Sequence, residues 1–178
     1  GGNGVDFPNP VKTDAFGNVY VSGYFDSDSI TIGTTTLTNV GNYDLFIVKY
    51  SSSGNVLWAR TAGSTQSDQV LSAATDANGN LYITGSYDAS ITIGAISLNN
   101  SGGSDIYVAK YDPSGNVLWA NRAGGWGGDV GIGISTDDSM NVYVTGFYSS
   151  SILFGSTTLS NAGSADVFMV KYNASGSV

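Results

Sequence analysis

Residues 75–82 read Thr-Asp-Ala-Asn-Gly-Asn-Leu-Tyr, and close copies of this stretch stand at residues 13–20 and 136–143. The copies start 62 and 61 residues apart. Each copy places turn-forming Asp and Asn residues directly before an apolar residue and a tyrosine, which is typical of a turn that leads into a β-strand. A fixed period of this size indicates a tandem repeat, whose units bury their apolar faces by stacking on their neighbours.

A second motif follows the same period. It reads Asp-Ile-Tyr-Val-Ala-Lys-Tyr at residues 105–111, and its counterparts at residues 44–50 and 166–172 are each displaced by 61 residues. The whole chain is therefore interpreted as one array. Its divisions are residues 1–12 as the end of a preceding repeat or a closing strand, 13–74 as repeat 1, 75–135 as repeat 2, and 136–178 as an incomplete repeat 3.

Each repeat of about 61 residues is predicted to hold four main antiparallel strands. Alternating or continuous apolar runs bounded by Gly, Asn, Asp and Pro define them. An inserted segment, Ser90 to Leu98 with a central Gly94, predicts a small extra hairpin. The main strands predicted in the second copy are Val70–Thr75, Leu81–Tyr87, Ile106–Tyr111 and Val117–Arg122. Four such strands in sequence order make a blade of a β-propeller, so the expected fold class is all-β.

The amino-acid composition indicates which secondary structure, partners and site chemistry to expect. All 14 acidic residues are Asp, which favours turns over helices, and almost no helix is expected. The net charge of −8 and the absence of a Lys/Arg cluster argue against a nucleic-acid partner. No apolar run approaches the length of a membrane span. With no His, the chain lacks the commonest general base, and with no Cys it has no thiolate ligands.

The repeat resembles a known family. The order Gly-Asn-Val/Leu-Tyr-Val/Ile-Ser/Thr-Gly, then Asp-x-Phe/Tyr-x-Val/Ala-Lys-Tyr, then Ser-Gly-Asn-Val-Leu-Trp-Ala, then Ala-Gly-Gly is similar to the bacterial β-propeller repeat called SBBP. The similarity covers essentially the whole chain. It implies a protein that is secreted or at the cell surface, often beside adhesion modules, and no shared enzymatic activity or ligand site.

Three aspartates recur before the first strand of each unit, namely Asp6, Asp68 and Asp129. Successive blades would place their carboxylates around a channel mouth, where they could bind a cation such as Ca²⁺. The alternative, which we favour, is that each carboxylate accepts backbone N–H bonds within a loop. Asp76, with Asn78 and Asn80, resembles part of a calcium loop but lacks its later Glu, so a hairpin turn is expected.

Lysines recur in the third strand as Lys49, Lys110 and Lys171. They could form a ring that receives an anion. The favoured interpretation is that each stem packs between blades while its ammonium pairs with an Asp of a loop, since an unpaired buried charge is costly.

Tryptophans offer another kind of contact. Trp58 and Trp119 lie in strands and are expected in the core between blades. Trp126 has no aromatic counterpart in the other copies, so the period does not require it. It is the best single candidate for an exposed contact.

No nucleophile, base and orienting group recur at catalytic spacing, and an enzyme is not expected. The leading hypothesis is an extracellular or cell-surface scaffold that binds proteins. The alternatives are a carbohydrate-binding propeller and a structural subunit of a filament or ring. No cofactor is predicted apart from the calcium alternative.

Three blades do not close a ring, since propellers typically have four to eight. Head-to-tail association of copies, or further repeats of a longer chain, is therefore expected to cover the open faces. Comparison with the second repeat indicates that six residues after Val178 would complete the third repeat. Their addition is expected to protect the strand from Val167 to Tyr172.

Overall fold

The computed structural model describes residues 1–178 and contains only β-strands, turns and loops. The prediction of almost no helix is confirmed, and no helix is present that could span a membrane. All strand pairing within the sheets is antiparallel. The predicted all-β class is therefore correct.

The first sheet has the order β1-β2-β5-β6. Its strands are β1 (Asp6–Thr13), β2 (Val19–Phe25), β5 (Asp44–Tyr50) and β6 (Val56–Ala62), and the hairpin β3 (Ser29–Ile32) and β4 (Thr35–Thr38) is inserted between β2 and β5.

The second sheet repeats this order as β7-β8-β11-β12. Its strands are β7 (Asp68–Thr75), β8 (Leu81–Tyr87), β11 (Asp105–Tyr111) and β12 (Val117–Ala123), with the hairpin β9 (Ile91–Ile93) and β10 (Ile96–Leu98). All four strands predicted for the second copy are confirmed to within two residues. The inserted hairpin is also confirmed, and it turns at Gly94, whose φ is 63°.

The third sheet has the order β13-β14-β17. Its strands are β13 (Asp129–Thr136), β14 (Val142–Tyr148) and β17 (Asp166–Tyr172), with the hairpin β15 (Ile152–Phe154) and β16 (Thr157–Leu159). The sheets thus begin at Asp6, Asp68 and Asp129. The repeat boundaries drawn from the sequence cut each sheet between its first and second strands, because the best-matching motif marks a turn inside the sheet.

The sheets stack face to face. β7 lies beside β1 and β13 lies beside β7, so the first strands of the three sheets are neighbours. One apolar core lies between the first and second sheets and a second core between the second and third. A third cluster covers the remaining face of the first sheet, where Ile30 and Leu37 of the small hairpin pack with Phe25 and Phe46. The small hairpin therefore belongs to the apolar face of its own sheet.

Candidate functional site

One end of every sheet carries a repeated aspartate loop, and we call it the aspartate end. There the carboxylate Oδ2 of an Asp at the start of a first or third strand accepts the backbone N–H of the residue four positions earlier. The six N···O distances lie between 2.5 and 3.1 Å. The six aspartates are Asp6, Asp44, Asp68, Asp105, Asp129 and Asp166. Each carboxylate replaces a peptide group as acceptor and closes its loop.

The candidate binding residues Asp6, Asp68 and Asp129 take the loop-closing role that we favoured. The structure holds no group of three or more acidic side chains that could bind a metal ion together. Asp68 instead lies beside Asp44 of the preceding sheet, since its N–H donates to the carbonyl of Tyr43 at 2.7 Å. Asp129 lies beside Asp105 in the same way, through the carbonyl of Ser104 at 2.7 Å.

The sequence interpretation did not assign a role to Asp44 and Asp105. Each is the first residue of the third-strand motif, and both recur with the repeat period as the other aspartates do. This recurrence in the sequence could have identified them. What sequence spacing alone does not show is that the first strand of one sheet meets the third strand of its neighbour. The structure therefore contains aspartate pairs between sheets rather than a ring of three.

The aspartates of these pairs are buried, which is unusual for carboxylates. Loss of solvent raises the pKa of Asp44 and of Asp105 to about 6 and that of Asp68 to about 7, and it also raises the pKa of Asp129. The Oδ1 atoms of Asp44, Asp68 and Asp105 are buried without a hydrogen-bond partner. Such atoms are rare in folded proteins and call for an explanation.

The opposite end of the sheets carries tight hairpin turns. Asp76 Oδ1 accepts the N–H groups of Asn78 and Asn80, while its Oδ2 accepts the Asn80 side-chain amide and the Tyr82 hydroxyl at 2.7 and 2.8 Å. Both carboxylate oxygens are thus engaged by donors. The expected hairpin turn is confirmed, and the arrangement does not suit a calcium loop.

The lysine prediction is correct for one residue. Lys49 is buried, its ammonium lies 3.5 Å from Asp14 Oδ2, and it donates to the carbonyl of Pro113 in the next sheet at 3.1 Å. The predicted ion pair is wrong for Lys110, which donates to the carbonyl of Ala174 at 3.4 Å and lies over the ring of Tyr82. In this sheet the Tyr82 hydroxyl donates to the carboxylate of Asp76, and Lys110 keeps only the carbonyl contact that Lys49 makes in addition to its ion pair.

Lys171 is exposed and lies over the ring of Tyr143, so it too forms no ion pair with an Asp. The three lysines each sit above the tyrosine of the neighbouring strand in their own sheet. They do not converge on a shared anion site.

Tryptophans on the fourth strands join neighbouring sheets, as predicted. The indole N–H of Trp58 donates to the carbonyl of Pro113 at 3.0 Å, and that of Trp119 donates to the carbonyl of Ala174 at 3.2 Å. Both rings cover the glycine of the turn in the next sheet, Gly115 and Gly176 respectively.

Trp126 is 89% exposed. It lies at the aspartate end, in the loop between β12 and β13. The flanking N–H groups of Gly127 and Gly128 donate to the hydroxyls of Ser150 and Ser149 at 2.9 and 2.7 Å, which holds the loop while the indole projects into solvent. Because the ring supports no core, the structure places this candidate residue where it is free to contact another molecule.

A cavity of about 580 Å³ lies between β12 and the hairpin β15–β16. Its lining includes Phe154, Tyr172 and Val178, and its only charged side chain is that of Arg122. It combines no nucleophile with a base.

Comparison with known proteins identifies two relatives, and no family model matches the chain. The chain is 28% identical over 166 residues to an uncharacterized WD repeat-containing protein of Acanthamoeba polyphaga mimivirus, a match that covers 75% of this chain and 12% of that protein. It is 30% identical over 171 residues to the regulatory protein FlaEY of Caulobacter vibrioides, covering 92% of this chain and 18% of that protein. The chain therefore spans less than a fifth of the length of either relative.

Proposed function

We propose that this chain is a non-catalytic scaffold made of consecutive β-propeller blades and that it binds other proteins. The observation that carries the proposal is the repeated antiparallel sheet, stacked so that the first strands β1, β7 and β13 lie side by side. Sheets arranged in this radial way are the units of propellers. The likeness to a WD repeat-containing protein supports the same architecture.

The side-chain chemistry supports a binding rather than a catalytic role. The chain has no His and no Cys. The carboxylates of the hairpin turns accept backbone and side-chain donors, and those of the aspartate end close loops. Neither set presents a base to a nucleophile, which hydrolytic or transfer chemistry requires. The resemblance to SBBP repeats makes a secreted or cell-surface location part of this proposal.

The proposed contact surface is the loop around Trp126. Exposed tryptophans are enriched among residues that dominate protein interfaces, because they bury a large area at little entropic cost. The indole of Trp126 does not pack in the core, so its replacement tests binding without loss of the fold.

The experiment compares three forms of the chain as bait for extracellular and surface proteins of the source organism. Trp126→Ala is expected to lose a partner that the unchanged chain retains. Leu118→Ala, which removes an exposed apolar side chain on β12, is expected to retain the partner. Equal retention by all three forms would contradict the assignment of the loop. The scaffold proposal would be overturned if no partner is found and the chain turns over a substrate in a reaction that an Asp→Asn change abolishes.

A carbohydrate ligand is the second candidate, and the exposed Trp126 also favours it. An indole face stacks on a sugar ring, and the loop is bordered by the hydroxyl-bearing Ser149 and Ser150. A glycan array should then show binding that Trp126→Phe weakens and Trp126→Ala removes. An array without signal at high protein concentration would eliminate this candidate.

Assembly into a ring or filament is the third candidate. Val167 and Met169 on β17 are 84% and 75% exposed, whereas their counterparts Leu45, Ile47, Ile106 and Val108 are buried against the next sheet. A further blade, supplied by the same chain or by a second copy, would cover them. Sedimentation should show association that Met169→Lys reduces, and a monomer at every concentration would contradict it.

A further inference from the structure

The first and third sheets each have one face without a neighbouring sheet, and we call these the two open faces. On the third sheet the open face is apolar, because Val167 and Met169 are largely exposed and Phe147 lies beside Val167 across the sheet. The same face holds a pocket of about 280 Å³ lined by Ser135, Tyr143 and Met169. Exposed apolar patches of this kind mark interaction surfaces.

The first strand of the next sheet covers the equivalent of this pocket inside the chain. Ala74, Tyr82 and Val108 occupy the corresponding positions of the second sheet. Ile134 of β13 belongs to the same apolar core as these three residues. At the first interface its counterpart Ala73, on β7, lies in the core between the first and second sheets. One position of the first strand therefore packs against the preceding sheet at both internal interfaces.

The open face of the first sheet carries the matching groups. Val11 on β1 is the counterpart of Ala73, and it is 60% exposed. Threonine hydroxyls also join each sheet to the one before it, since Thr75 donates to the carbonyl of Thr13 and Thr136 to that of Thr75, both at 2.9 Å. The hydroxyl of Thr13 begins this series on one open face, and the carbonyl of Thr136 ends it on the other.

The lysines follow the same order. Lys49 and Lys110 each donate to a turn carbonyl of the following sheet, at 3.1 and 3.4 Å. Lys171 has the same position in the third sheet and is exposed. The corresponding turn carbonyl of the first sheet belongs to Ser52, which is exposed as well. The two open faces thus carry the apolar, donor and acceptor groups of an internal interface.

We propose that a second copy of this chain docks the open face of its first sheet onto the open face of the third sheet. Val11 of the second copy enters the pocket beside Met169. The threonine and lysine hydrogen bonds of the internal interfaces then continue from one copy to the next. The assembly rests on the blade architecture proposed above, and it leaves the Trp126 loop exposed.

The number of copies follows from the number of sheets. The contact is heterologous, so repeated docking closes a ring or continues as a filament. Two chains of three sheets hold six blades, which is the only multiple of three among propellers of four to eight blades. The expected assembly is therefore a closed dimer in which the same contact occurs twice.

Sedimentation velocity tests the dimer at moderate ionic strength, which screens the net charge of −8 on each chain. The unchanged chain is expected to dimerise as its concentration rises. Val11→Asp and Met169→Lys each alter one open face, and each variant alone is expected to stay monomeric. An equimolar mixture of the two variants should dimerise again, because one of its two contacts joins unaltered faces.

The control changes a valine outside both open faces. Val40, in the loop before β5, is 63% exposed, and Val40→Asp should dimerise like the unchanged chain. Circular dichroism establishes that each variant keeps its β-structure. The scaffold is judged separately by the bait experiment with Trp126→Ala, in which monomeric Val11→Asp should retain the same partner.

Three results would overturn the docking of a second copy. The first is an unchanged chain that stays monomeric at every concentration. The second is a Val11→Asp variant that dimerises as strongly as the unchanged chain, which would show that two third sheets pack on each other. The third is an equimolar mixture of the folded Val11→Asp and Met169→Lys variants that stays monomeric.

Discussion

Substitution of Gly115 by Ala probes how one sheet is attached to the next. Gly115 has a φ of 81°, and a Cβ atom there would lie 2.9 Å from the ring of Trp58 in the preceding sheet. Gly54 occupies the same turn of the first sheet with a φ of 84°, but a Cβ atom there would meet nothing within 4 Å. The two glycines therefore share their backbone conformation and differ in the neighbouring sheet.

The expected costs follow from this difference. Alanine at positive φ costs about 1 kcal/mol net, which is the whole effect expected for Gly54→Ala. Overlap with the indole adds about 1–3 kcal/mol, so Gly115→Ala is expected to lose about 2–4 kcal/mol of unfolding free energy. Urea denaturation followed by circular dichroism measures both values, and equal m-values ensure that the same transition is compared.

A double-mutant cycle completes the experiment. When Trp58 is replaced by Leu, Gly115→Ala should cost no more than Gly54→Ala, because the atoms that it meets are gone. Equal destabilisation by Gly54→Ala and Gly115→Ala in the unchanged background, within about 0.5 kcal/mol, would refute the reasoning. It would show that the indole does not constrain the turn of the next sheet.

Two further changes test other parts of the structure. Met140 has a φ of 61° where Gly79 stands in the second sheet, so Met140→Gly should stabilise the chain by about 0.5 kcal/mol in urea denaturation, and a loss of stability would contradict this. The melting temperature should fall as the pH rises from about 4.5 to about 7.5. The pKa values of Asp44 and Asp105, about 6, and of Asp68, about 7, exceed the ordinary 3.8, so the folded chain binds their protons more tightly. This contribution is complete below about pH 4 and is lost through pH 6 to 7, and a flat or rising melting temperature would contradict it.

The sequence alone determined the features that depend on local chemistry. Alternating apolar residues and the Asp, Asn and Gly turns predicted the strands, the inserted hairpin around Gly94 and the hairpin role of Asp76. The same period predicted that Trp58 lies between sheets and that Trp126 does not. These inferences held because strand periodicity and turn geometry depend on residues a few positions apart.

Tertiary structure decided what meets across the sheets. The pairing of Asp68 with Asp44, the contact of Lys110 with a backbone carbonyl and the boundaries of the sheets all join residues from different turns or strands. A repeat period states which positions are equivalent, but it does not state which equivalent positions become neighbours. That depends on how the sheets stack, because burial of their apolar faces sets the distances between side chains far apart in the chain.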